Sequence, residues 1–223
     1  MDTSREWTEP WDVNRRLREL SDGLTQEVLR EAVTRAQAAW AACTPHHPRV
    51  FPGIASWAEG IRTIRDLLTP FSWNSEDNRG QPLAVNPEGT LAITVLSGDE
   101  VTGKVGQGQP RTSAGHGPAT VEFVDANTWL WPELEADAKA RRELERSRAK
   151  NTWVLLMHRD VGLGQVRCEL SHPTGMDQDK RIVSWSERII LAPVEFEPTP
   201  ETLAIDEGGP DDGEITIDIK RRA

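Results

Sequence analysis

The period of the apolar positions changes along the chain, and period is what separates helix from strand. Leu24, Val28, Ala32, Ala36, Ala39 or Trp40, and Cys43 recur at helical spacing and make one apolar stripe. They predict a helix from about Asn14 to Cys43, with Asp22-Gly23 as a point where it can break and Thr44-Pro45 as its stop. Ahead of it, Trp7, Pro10 and Trp11 in polar company read as an arm lying on the surface. Residues 44–53 hold three prolines and read as a loop. A second helix is expected from Ser56, because Ser56 and Glu59 have the spacing of a capping box. Its buried face is Trp57, Ile61, Ile64 and Leu68, and Pro70 closes it. Residues 71–89 are polar, rich in Asn, Gly and Pro, and read as loop.

Beyond residue 90 the pattern turns to strands. Residues 91–96 are apolar on both faces apart from Thr94, and 120–124 alternate over a short stretch. Between them, 97–118 contain six glycines and two prolines and read as a long, mobile loop. Pro132 opens a helix to about Lys150, with Glu133, Glu135 and Asp137 early and Arg146, Arg148 and Lys150 late, an order that complements the helix dipole. Residues 153–157 read as a central strand covered on both faces. In 165–171, Val166, Cys168 and Leu170 face one way and Arg167 and Glu169 the other, which predicts one wet face. Residues 181–191 alternate as well, and 198–223 read as an extended acidic tail. Consecutive strands imply antiparallel pairing. The expected fold is α+β: a mixed, mostly antiparallel sheet of about five strands with helices packed on one face. The expected units are a helical part over 1–71, a core over 81–197 and the tail over 198–223.

Composition narrows the function classes. No apolar run approaches the roughly 18 residues of a membrane span, and the first residues lack the apolar stretch of a secretory signal. Two cysteines, Cys43 and Cys168, make no disulfide framework. The expectation is a soluble cytoplasmic protein with no membrane partner. The net charge of −10 is uneven: residues 194–223 hold nine acidic and three basic side chains. Binding along a nucleic-acid backbone needs surplus cations, so it is expected only through a local patch, Arg141, Arg142, Arg146 and Arg148, or within a complex. Arg outnumbers Lys by 21 to 5, which suits a GC-rich bacterial or phage genome. Nine Trp and no Tyr supply either core filler or interface anchors.

The apparent motifs fail on their contexts. Residues 98–104 match GxxxxGK, but Val105 stands where a Mg²⁺-binding hydroxyl belongs, no helix is expected next, and Asp99 and Glu100 repel phosphate. His158-Arg159-Asp160 resembles the kinase triplet, but the metal-binding Asn is missing. Cys43, His46, Cys168 and His172 make a zinc count. If Cys168 and His172 share one strand, however, they lie roughly 13 Å apart, too far for one ion.

What remains is Glu187, a carboxylate on the side of Val183, Trp185 and Ile189, and loop 97–118 with Asp99, Glu100, Lys104 and His116. The carboxylates and His116 are candidates for acid–base or metal-assisted hydrolysis; His158 is a further partner for them. In the tail, Ile215, Ile217 and Ile219 alternate with polar residues ahead of Lys220-Arg221-Arg222, so the segment can add as a strand to an open sheet edge, either a partner's or the protein's own. With Lys104, Arg142 and Arg146, these are the candidate binding residues. No cofactor and no metal are expected. The leading expectation is a non-enzymatic accessory protein of a bacterium, phage or mobile element, binding a protein partner within a multisubunit complex. A metal-assisted hydrolase or nuclease and a nucleic-acid-binding subunit are the alternatives.

Overall fold

A computed structural model describes residues 4–78, 80–128 and 151–199. The helix expected from Pro132 to Lys150, its arginines, and the tail isoleucines lie outside the described residues.

The helical stripe of the first part folds as two helices. α1 (Pro10–Leu20) has proline in its first turn, where no N–H is needed, and buries Val13 and Leu17. Gly23, with φ +81°, makes the turn that the sequence marked at Asp22-Gly23. Thr25 then caps α2 (Gln26–Ala41), its hydroxyl accepting from the Val28 amide at 3.3 Å. The buried side of α2 is Leu29, Ala32, Val33, Ala36 and Trp40, with Gln37 among them. α3 (Phe51–Leu68) begins five residues before Ser56. Ser56 is buried inside the helix, and Glu59 pairs with Arg62, so the capping-box spacing marks no terminus. Pro52, in the first turn, is the start signal instead.

Among the described residues the sheet holds eight strands rather than about five: β1 (Arg5–Trp7), β2 (Asn74–Asn78), β3 (Gln81–Val85), β4 (Leu91–Ser97), β5 (Asn151–Asp160), β6 (Gln165–Met176), β7 (Ile182–Ile190) and β8 (Val194–Glu195). Their order is β1-β7-β6-β5-β4-β3-β2, with β8 also beside β6. β1 with β7 and β4 with β5 are parallel, and every other pair is antiparallel. The surface arm therefore supplies an edge strand, and part of the polar stretch 71–89 is the β2–β3 hairpin. Of the residues expected as strand, 120–124 are instead helical, within α4 (Pro118–Thr128). Thr120, Val124 and Asn127 recur at helical spacing and are buried, a period that only shows once the window extends past Val124.

The helices do not all lie on one face. Side chains from α1, α2 and α3 share one core with Ile93, Val95, Trp153, Leu155, Cys168, Leu170 and Ile189. α4 lies against the opposite face, where Val124 meets Leu96, Val154, Leu156, Ile182 and Trp185. β5 is thus apolar on both faces because both are covered. No helix among the described residues is long and apolar enough to cross a membrane.

Candidate functional site

The outer face of β6 and β7 is the least orthodox part of the molecule. Alternation points Arg167, Glu169 and Ser171 of β6, Arg188 of β7 and Glu6 of β1 to the side away from α1–α3. That face was expected to be wet. Instead Glu169, Ser171 and Arg188 are fully buried, and the segment from Gly98 to Gly117 is what covers them. Glu169 accepts from both Arg188 Nε (3.0 Å) and Nη2 (2.6 Å), from the Ser171 hydroxyl (2.7 Å) and from the Gly103 amide (2.8 Å). Arg188 donates further to Glu6 (2.8 Å) and to the carbonyls of Gly108 (2.8 Å) and Lys104 (3.3 Å). A guanidinium has five N–H groups, and here every one has an acceptor. Arg167 repeats the pattern, donating to the carbonyls of Thr102 (3.0 Å) and Glu100 (2.9 Å) and pairing with Asp160.

The covering loop is therefore a strap of backbone carbonyls laid over two buried arginines. Gly103 is the close approach: its φ is +72°, and a Cβ there would stand 2.9 Å from that of Arg167. This accounts for Gly103, the second glycine of the GxxxxGK pattern, without any phosphate. Farther along, the Trp185 indole donates to the Pro110 carbonyl (2.7 Å), and Ser113 donates to Gly98 (3.0 Å).

The candidate side chains of this loop do not converge. Asp99 accepts from the Val101 amide (3.1 Å) in a local turn. The Glu100 side chain is exposed, and Glu100 and Lys104 are used through their carbonyls. The backbone at His116 donates to the Lys180 carbonyl (3.0 Å), beside the β6–β7 turn, and burial pushes its imidazole down to about 4. His158 donates from Nδ1 to the Gly98 carbonyl (3.1 Å), and burial lowers its pKa. Among the described residues no group of three or more His, Cys, Asp and Glu is placed to hold a metal ion. Cys43 is buried, and complete burial pushes Cys168 up to about 12.

Glu187 belongs to the other face. A bulge sets both Ser186 and Glu187 opposite His172, so Trp185 packs toward α4 while Glu187 points toward α1. There it accepts from Arg16 Nε (2.5 Å) and Nη2 (2.9 Å) and from the Trp7 indole (2.5 Å). Glu187 and the loop thus stand on opposite sides of the sheet and form no joint site. His172 lies 2.7 Å from the Ser186 hydroxyl and tilts against Trp153, and burial lowers its pKa to about 4.

The surface features that the sequence reading missed are apolar. Val50, Phe51 and Ile54, at the first turn of α3, are 42%, 39% and 49% exposed. His47 stacks on Phe51 at 4.9 Å. Val50 and Phe51 fall in the stretch 44–53, whose three prolines read as a loop in the sequence, although Pro52 stands in the first turn of α3. Two shallow depressions, of about 570 Å³ beside Arg18, Phe71 and Glu88 and about 280 Å³ between α2 and β8, gather no convergent catalytic groups. In comparisons with protein-family models, with curated proteins and with solved structures, nothing matches the chain.

Proposed function

We propose that the protein acts by binding another protein, through the apolar surface at the N-terminal end of α3. The observation that carries this reading is the cluster of Val50, Phe51 and Ile54, exposed together within about one helical turn. Isolated exposed apolar residues are ordinary, but a group presented by a rigid helix suits helix-in-groove recognition, with aromatic and aliphatic anchors entering a partner's pocket. The candidate side chains of the alternative reading, hydrolysis through loop 97–118, do not converge on one point, and the loop is held to the sheet through its main-chain carbonyls, which favours binding over chemistry. Arg142 and Arg146, the basis of a nucleic-acid reading, lie outside the described residues.

The test is affinity isolation from the native host with wild type, Phe51→Asp, and Leu163→Asp as a control at an exposed apolar site elsewhere. A stoichiometric protein should be retained by wild type and by the control and lost with Phe51→Asp, at unchanged melting temperature. Retention by all three chains, or co-purification of nucleic acid in place of protein, would overturn the reading.

A further inference from the structure

The apolar surface at the start of α3 lies in a part of the chain that carries no carboxylate. Residues 32–58 contain neither Asp nor Glu, the longest such run in a chain with 36 acidic side chains. From Ala36 to Ala58 the side chains able to carry charge near neutral pH are His46, His47 and Arg49. All three are exposed, and each can add only positive charge.

Two tight turns lead into the helix, closed by bonds from the His47 amide to the Thr44 carbonyl (3.0 Å) and from the Phe51 amide to the Pro48 carbonyl (2.8 Å). The second turn keeps the Cα atoms of Pro48 and Phe51 within about 7 Å of each other and places Arg49 and Val50 at its corners. Arg49 is thereby carried beside Val50, Phe51 and Ile54, all exposed. Exposed arginines on the adjoining helices are answered within their own helix: Arg35 by Glu31 (2.7 Å), and Arg62 by Glu59 and Asp66. Among the described residues no carboxylate pairs with Arg49. An unpaired guanidinium beside an aromatic and two aliphatic side chains joins residue types that anchor interfaces.

We propose that the protein bound by this surface presents an apolar pocket edged by carboxylates: Phe51 and Ile54 enter the pocket, and an Asp or Glu on its edge pairs with Arg49. This rests on the reading that Val50, Phe51 and Ile54 bind a protein, and names that protein's chemistry. The guanidinium fork matches a carboxylate in geometry and is weakly hydrated, so it pairs at an interface more readily than an ammonium does. The chain as a whole carries −10. An acidic-edged partner is therefore repelled by much of the surface and admitted where carboxylates are missing, which sets its orientation. A basic edge would instead meet Arg49, His46 and His47. Nucleic acid also answers arginine, but its affinity is built from many phosphate contacts, and apolar anchors suit a protein groove.

The test uses the protein retained by wild type in the isolation described above, identified by mass and purified. Its Kd for wild type, Arg49→Ala and Arg49→Glu is measured by calorimetry at low and high NaCl. Arg49→Glu should weaken binding about tenfold or more, because like charges then meet, at an unchanged melting temperature. Wild-type affinity should fall with salt more steeply than that of Arg49→Ala. Arg49→Lys supplies an amine that a carbodiimide should join to an Asp or Glu of the partner, as the masses of joined peptides would record. Reversing that carboxylate to Lys should restore binding by Arg49→Glu. Binding that is lost in Phe51→Asp but equal in wild type and Arg49→Glu would overturn the acidic edge and leave the Phe51 surface standing. Nucleic acid as the retained material, or a protein held equally by Phe51→Asp, would overturn both together.

Discussion

A fully buried guanidinium is stable only if its charge and all its donors are answered, and Arg188 meets both conditions through Glu169, Glu6 and two loop carbonyls. Removing one partner strands the other in a medium that solvates charge poorly. Glu169→Gln should therefore destabilise the chain by about 3–5 kcal/mol, read from urea denaturation. The double change Glu169→Met with Arg188→Met should cost clearly less than the sum of the two singles, because neither charge then remains. Small, additive costs would show that the pair does not act as a unit. Glu187 was visible from sequence as an anomaly because a carboxylate interrupted an apolar alternation, and its pairing with Arg16 and Trp7 answers that anomaly. Glu169 and Arg188 gave no such signal. Arg and Glu alternating with apolar residues is what a solvated sheet face looks like, and nothing local in β6 announces that a segment some 65 residues earlier will cover it.

At the level of elements, strands β4 to β7 were legible because their apolar runs are long and their alternation is clean. The β2–β3 hairpin was hidden by polarity, since β2 is an exposed edge with no buried side chain to mark it. α4 was hidden by a window too short to show its period. The loop that follows β4 was expected to be mobile for want of apolar anchors, a criterion that ignores carbonyls. Its anchors are hydrogen bonds from Arg167, Arg188 and Trp185 to main-chain oxygens, which are invisible to hydropathy. The consequence is testable with trypsin, whose sites in this loop are Lys104 and Arg111. The Lys104 carbonyl accepts from Arg188, and the Arg111 carbonyl from the Asp99 amide at 2.9 Å. Cleavage needs local opening, so the folded wild type should resist cutting at both sites. Arg188→Met should release the strap and make them the early sites, as fragment masses would record. Prompt cleavage of wild type at Lys104 would restore the mobile-loop expectation.

For the whole molecule, the two faces of the sheet are stabilised by different chemistry: hydrocarbon from α1 to α3 on one side, and on the other an apolar patch under α4 next to ion pairs under the strap. Both contain histidines kept neutral by burial, and this ties global stability to pH. His172, on β6, is held among Trp153, Ser186, Glu187 and Arg16; desolvation lowers its pKa from 6.5 to about 4, with Arg16 opposing and Glu187 favouring the charged form. Above pH 6.5 the imidazole is neutral in both the folded and the unfolded chain and makes no difference. As pH falls from 6.5 toward 4, the unfolded chain takes up a proton that the folded one refuses, so stability falls through that window and levels off below it. A shift of that size is worth about 3 kcal/mol from this one group. His116 responds in the same direction, from 6.5 to about 4. Asp160 adds a later loss: burial pushes its carboxyl up, but Arg167 and the Leu163 amide hold it below the usual carboxylate range, so its contribution disappears only as pH falls through that lowered value. Urea unfolding measured from pH 7 to pH 4 should therefore show decreasing stability, and His172→Phe should flatten the slope by about one proton in that interval. An unchanged slope in His172→Phe, with the variant folded at pH 7, would mean that the histidine is already accessible to protons in the native state.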